Sequence, residues 1–216
     1  MAELLIAGIE PVKRKKGWFE LTTKGKPPFL IDEETIYKNS LRTGDVISDA
    51  RFQRIRQHAD LAWLKHRGMQ ILSRRMISER DLRRKLSAER KSPAIRDEAM
   101  VQLKRYGFFD DSRYAAALIR SQMSRGVKSR LYLKKKLWEK GIDKEIAEPA
   151  IETELEGFDE KDAVLELAKK KLRSLKRLPA DKTKNRLISF LRGKGFSWDT
   201  INSAVKTVLA NKSEDM

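Results

Sequence analysis

Apolar residues recur at helical spacing in three segments of this chain. Leu82 and Leu86 sit four apart, as do Leu133 and Leu137, and Leu187 and Leu191. A second apolar series follows each pair in steps of four: Ile95, Ala99 and Leu103, then Ala147, Ile151 and Leu155, then Ile201, Val205 and Leu209. Residues four apart share one helix face, so each segment predicts at least two amphipathic helices joined by a short turn. The unit recurs from Leu86 to Leu137 to Leu191, at intervals of 51 and 54 residues. Repetition at this length predicts stacked helical modules, each too small to bury its faces alone. Such an array offers a long groove or arc of surface rather than a pocket for chemistry.

Residues 1–49 follow a different pattern. Leu4 to Ile9 is a short apolar run, Lys13 to Lys16 a basic patch, and Trp18 to Thr23 a stretch that favours a strand. Pro27-Pro28 is expected to break the chain before Phe29, Leu30 and Ile31, and Asp32 to cap a short helix through Ile36 and Tyr37. This region predicts a small β-rich cap. From Ser48 onward the pattern is helical: one helix with Phe52 and Ile55, another over about 61–75, then starts at Ser78, Asp110-Asp111, Ser129, Asp143 and Ser197. Gly107, Gly126, Gly141, Gly157 and Gly193 mark stops. The expected organisation is a cap and leading helix over 1–58, then three-helix repeats over 59–110, 111–158 and 159–212. Two places depart from the repeat. Pro149 falls within the helix of Ile151, so that helix should kink or start late, and Ala88 to Pro93 lacks the glycine of the equivalent turns at Gly141 and Gly195.

The charge changes the picture. The chain carries 48 basic and 31 acidic residues, a net charge of +17. That excess favours a polyanionic partner, nucleic acid or an acidic protein surface. It is also patterned. Residues 74–91 hold eight basic residues and three acids, 128–140 six and one, and 169–194 eleven and one, whereas 143–162 hold nine acids and two lysines. A basic second helix in each repeat predicts a stripe that neutralises phosphates with salt-dependent affinity; the alternative is a set of solvated helix faces. Candidate contacts are Arg83 and Arg84 in the first repeat, Lys128, Arg130, Lys134 and Lys135 in the second, and Arg186, Arg192 and Lys194 in the third. Trp138 joins them. It lies seven residues from Leu131, well away from the face of Leu133 and Leu137, so both are either packed on a neighbouring element or set in the basic surface as contacts.

Other chemistry finds little support. There is no cysteine, which excludes disulfides and thiolate sites. His58 and His66 lack a third ligand at useful spacing, and Gly193-Lys194-Gly195 lacks the spacing of a phosphate loop. No nucleophile, base and orienting group occur together, so no enzyme, metal or cofactor is expected. The first residues do not resemble a signal peptide and no run of about 20 apolar residues would cross a membrane, which fits a cytoplasmic protein.

Tyr106 to Arg120, reading YGFFDDSRYAAALIR, resembles the junction between the first two repeats of the RecX family, bacterial regulators of the RecA recombinase. Ile71 to Arg75 with Ser78 to Leu86 is similar to the family's first-repeat signature, and Lys134 to Ile142 to its second. The missing glycine and Pro149 are departures, and neither touches the basic stripe. The resemblance implies a mainly α fold of three tandem three-helix repeats in an elongated curved array. It implies binding in the groove of the RecA–DNA filament, limiting strand exchange, ATP hydrolysis and co-protease activity. A monomer is expected, with single- and double-stranded DNA held by the stripe. A general DNA- or RNA-binding protein with no obligate protein partner is the alternative.

Overall fold

A computed structural model describes residues 3–175 and 178–214; Lys176 and Arg177 of the third basic segment lie outside the described residues. The chain divides into two compact units, residues 1–110 and 111–216.

The first unit begins with an antiparallel sheet of order β3-β2-β1-β4, built from β1 (Glu3–Pro11), β2 (Trp18–Thr23), β3 (Lys26–Asp32) and β4 (Val46–Ser48). Pro27 and Pro28 do not break the chain as expected; they lie inside β3. β3 is an edge strand, where a missing N–H costs no ladder bond. Helix α1 (Glu33–Lys38) follows, with Asp32 at its N-cap. The two helices expected over about 49–75 are one helix, α2 (Asp49–Leu72). Nothing between Arg56 and Leu61 stops it, since no glycine or proline falls there. The expected boundary at 58/59 therefore runs through a continuous helix. The first half of α2 places Phe52, Ile55 and Ala59 in the core under the sheet, where Leu4, Ile6, Leu21 and Ile31 meet them. Its second half supplies Leu64 to a separate core with Leu82 and Leu86 of α3 (Glu79–Ser87) and Ala99, Met100 and Leu103 of α4 (Pro93–Arg105). Trp18 meets Trp63 edge to face at 5.0 Å and His66 at 5.5 Å, so His66 packs at the joint between cap and helix.

The second unit holds six helices among the described residues. Repeat two is α5 (Asp111–Ser124), α6 (Arg130–Glu139) and α7 (Lys144–Glu154), closed around Ala115, Ile119, Leu133, Leu137, Ala147 and Ile151. Pro149 lies inside α7, which begins at Lys144; the helix neither starts late nor ends there, and the proline sits on its exposed face. Repeat three is α8 (Glu160–Arg173), α9 (Ala180–Gly193) and α10 (Trp198–Glu214), closed around Val164, Ala168, Leu187, Leu191, Ile201 and Val205. All three leucine pairs are fully buried, at 0–1 % exposure.

One element of the repeat is a hydroxyl one turn before each leucine pair. Ser78, Ser129 and Thr183 are each buried and stand four residues before Leu82, Leu133 and Leu187. Ser78 and Ser129 accept from the N–H groups of Asp81 (3.3 Å) and Tyr132 (3.0 Å), satisfying helix-start donors. Thr183 lies inside its helix instead and donates to the Pro179 carbonyl at 3.0 Å. The turn without glycine is built by Arg90, at φ 54°, in the left-handed conformation that Gly141 (76°) and Gly195 (85°) adopt in the other repeats. It is pinned to α2: Glu89 accepts from Trp63 Nε1 at 2.9 Å and Arg67 Nε at 3.0 Å, and Lys91 pairs with Asp60.

Candidate nucleic-acid interface

The predicted stripe divides into cations already satisfied within the fold and cations left open. Arg83 is half-buried rather than exposed, and its guanidinium meets Asp97 of α4 and Glu79 of its own helix. Arg84 is exposed but lies 3.0 Å from Asp81. Lys134 is exposed and lies 2.7 Å from Glu148 of α7. The Arg130 backbone N–H donates to Glu160 at 3.1 Å, while its guanidinium approaches the Leu155 carbonyl at 3.5 Å. Arg83 and Lys134 thus pair with carboxylates of the third helices, α4 and α7, whereas Arg84 pairs within its own helix. Exposed ion pairs of this kind stabilise weakly, and their cations remain available at low cost to a stronger anion.

Lys128, Lys135, Arg186, Arg192 and Lys194 have no carboxylate partner among the described residues, and all belong to the second unit. Lys135, Arg186 and Arg192 are exposed; Lys128 and Lys194 are half-buried. The Lys128 ammonium is held below its usual range, first by burial and then by the neighbouring charges of Lys194 and Lys136. The open cations among these candidates thus lie on α6, on α9 and the residue after it, and in the loop between α5 and α6.

The outer face of α6 adds an apolar element. Trp138 is 71 % exposed and Leu131 is 60 % exposed. Their positions on the helix follow from the seven-residue spacing, but neither is buried against the neighbouring repeat or against α7. A tryptophan and a leucine therefore flank Lys134 and Lys135 at the surface.

Several participants were not legible beforehand. Tyr132 and Phe190 each precede a buried leucine, Leu133 and Leu191, and lysine ammonium groups lie over both rings: Lys128 and Lys136 over Tyr132, Lys171 and Lys194 over Phe190. An aromatic residue next to a core leucine was the available signal. Tyr106, Phe108 and Trp198 are further exposed aromatics. No group of three or more His, Asp or Glu able to hold a metal occurs among the described residues, and no described helix is long and apolar enough to cross a membrane.

Residues 110–151 match the family model described as "RecX, second three-helix domain", and residues 159–205 the model described as "RecX, third three-helix domain". The regulatory protein RecX of Clostridium acetobutylicum is 27 % identical over 217 residues, spanning 99 % of this chain and all of that protein. That of Clostridium beijerinckii is 28 % identical and spans 96 % and 97 % of the two chains. A crystal structure of regulatory protein RecX aligns with a TM-score of 0.67 at 23 % identity over 96 % of this chain and 99 % of that one. The RecX crystal structure from Lactobacillus salivarius aligns with a TM-score of 0.57 at 23 % identity, over 69 % and 96 %. These likenesses confirm the mainly helical fold with its small β-containing cap. The second and third RecX three-helix domains are thus matched in order on the two repeats of the second unit, and the chain is similar to RecX regulatory proteins over nearly its whole length.

Proposed function

We propose that this chain is a non-enzymatic regulator that docks as a monomer in the groove of the RecA–DNA filament and limits strand exchange, ATP hydrolysis and co-protease activity in cytoplasmic DNA repair. Relatives named regulatory proteins support the class of role. The observation that carries the reading is the mixed outer face of α6, where exposed Leu131 and Trp138 stand beside Lys134 and Lys135. Cations alone serve the DNA backbone, and an exposed tryptophan can also stack on the unpaired bases of a single strand. A nucleoprotein filament presents phosphates and protein surface together, and a face with both charge and a large aromatic suits it.

Co-sedimentation tests this. At matched salt, the chain should bind RecA filaments on single-stranded DNA more tightly than the same strand alone, and Trp138→Ala should narrow that gap. Equal affinity for filament and bare strand would support a general DNA- or RNA-binding protein instead.

A further inference from the structure

The junction between repeats two and three gathers four lysines around two rings. Lys128 Nζ lies 4.6 Å and Lys136 Nζ 5.7 Å from the Tyr132 ring centre. Lys171 and Lys194 lie 5.4 Å and 5.5 Å from the Phe190 ring centre. These lysines come from the α5–α6 loop, α6, α8 and the end of α9, so folding of the second unit brings them together.

The backbone fixes the arrangement. The Ser129 N–H donates to the Lys194 carbonyl at 3.2 Å, and the buried Ser129 hydroxyl donates to the Gly195 carbonyl. A Cβ on Gly195 would stand 2.5 Å from Tyr132 Cβ, so the turn after Lys194 rests directly on the first turn of α6. Val127 packs into the core of repeat three. The Lys194 ammonium lies beside Gly126, where a Cβ would be 3.5 Å away. Of the four lysines only Lys136 pairs with a carboxylate, Glu139 at 2.7 Å, among the described residues. The ring faces attract the ammonium groups and hold their stems, yet they do not neutralise them. Like charges held close, one of them partly desolvated, leave a concentrated positive potential that a bound anion relieves.

We propose that Lys128, Lys136, Lys171 and Lys194 form a site that grips adjacent phosphates of a nucleic-acid strand across the boundary of repeats two and three. It rests on the nucleic-acid half of the function above and not on the filament half. The rings orient the lysines, and the phosphates replace the missing carboxylates. The site recognises backbone and carries no sequence preference.

The test is titration of a labelled oligothymidylate, over a salt series, against the full chain and Lys128→Met/Lys194→Met. Methionine keeps the apolar stem over each ring and removes the charge. Lys13→Met/Lys16→Met, on exposed positions between β1 and β2, removes equal charge elsewhere. The junction variant should bind at least about tenfold more weakly than this control, and its log–log salt slope should fall by about 1.4 for two lost contacts. Its melting temperature at low salt should hold or rise as repulsion is removed, and Lys128→Arg/Lys194→Arg should restore binding. Binding equal to the control, or a loss that arginine does not restore, overturns the site. The oligonucleotide assay contains no recombinase, so a failure of filament docking leaves its result standing, and a failure here leaves docking through Leu131 and Trp138 standing.

Discussion

Lys134 Nζ lies 2.7 Å from Glu148 Oε1, and the pair joins the second helix of repeat two to its third. Arg83 and Asp97 make the same crossing in repeat one, again with the partners fourteen positions apart. The corresponding positions in repeat three are Ile188 and Asn202, which cannot form it. Repeats one and two thus use a stripe cation to fasten the third helix to the second, whereas Arg186 and Arg192 of repeat three have no carboxylate partner among the described residues.

The Lys134–Glu148 pair sets a pH dependence. Glu148 is held below the ordinary carboxylate range, first by the Lys134 hydrogen bond, with the charges of Lys134 and Lys144 adding to it against desolvation. A lowered folded-state value means a stabilisation that is complete above the unfolded-state value and is lost as pH falls through the folded one. Nuclear magnetic resonance titration of the Glu148 carboxyl carbon should give a midpoint below that of an unpaired glutamate. Lys134→Met should raise it, and an unchanged midpoint would show that the pair does not form in solution.

Gly195→Ala should damage the junction. The residue has φ +85°, and a methyl group would meet Tyr132 Cβ at 2.5 Å and Ser129 Oγ at 2.9 Å. Left-handed strain and overpacking together should cost about 2–4 kcal/mol. Urea denaturation should show this as a lower midpoint, with oligonucleotide affinity falling alongside. A change within about 0.5 kcal/mol, the range of ordinary surface substitutions, would mean that the turn does not rest on α6.

Arg90→Gly should act in the opposite direction. Arg90 occupies the left-handed conformation at φ 54° on an exposed turn. Relief of its strain, less the entropy cost of glycine in the unfolded chain, should stabilise by about 0.5–1 kcal/mol. Calorimetry should record a rise of about 2–4 °C for each kcal/mol gained in a chain of this size. A fall would mean that the Arg90 side chain contributes more than its backbone costs.

Trp138→Ala should weaken filament binding by at least about tenfold while barely moving the melting temperature, since the ring is 71 % exposed. Lys135→Ala should cost more binding than Lys134→Ala, because Lys134 is paired with Glu148 and Lys135 has no carboxylate partner among the described residues. A large drop in melting temperature with binding retained would assign Trp138 to packing.

The repeating core was legible because the burial of Leu82, Leu133 and Leu187, with their partners four residues on, depends only on helical periodicity. The glycine stops were legible for a similar local reason. The fusion of the expected leading helix with the first helix of repeat one was not, because polar residues at Gln57, His58 and Asp60 read equally well as a connection or as the exposed face of one long helix. Pro27 and Pro28 misled because proline disfavours a central strand, and edge position is a tertiary fact. For the site, composition placed Arg83, Lys134, Lys135, Arg186 and Arg192 on second helices, but Lys169 to Lys171 and Arg173 lie on the first helix of repeat three, and composition gave no means of separating Arg83 or Lys134, paired with a residue fourteen positions away, from Lys135. The Tyr132 and Phe190 cluster depends on repeat three docking onto repeat two, which no spacing within one helix reveals.

ATP hydrolysis by preformed RecA filaments on single-stranded DNA, measured after addition of substoichiometric amounts of this chain, tests filament regulation most directly. Docking on the assembled filament should inhibit hydrolysis, and Trp138→Ala should lose most of that effect. Inhibition that disappears entirely once filaments are preformed, while bare-strand binding persists, would contradict it and leave competition for DNA as the activity.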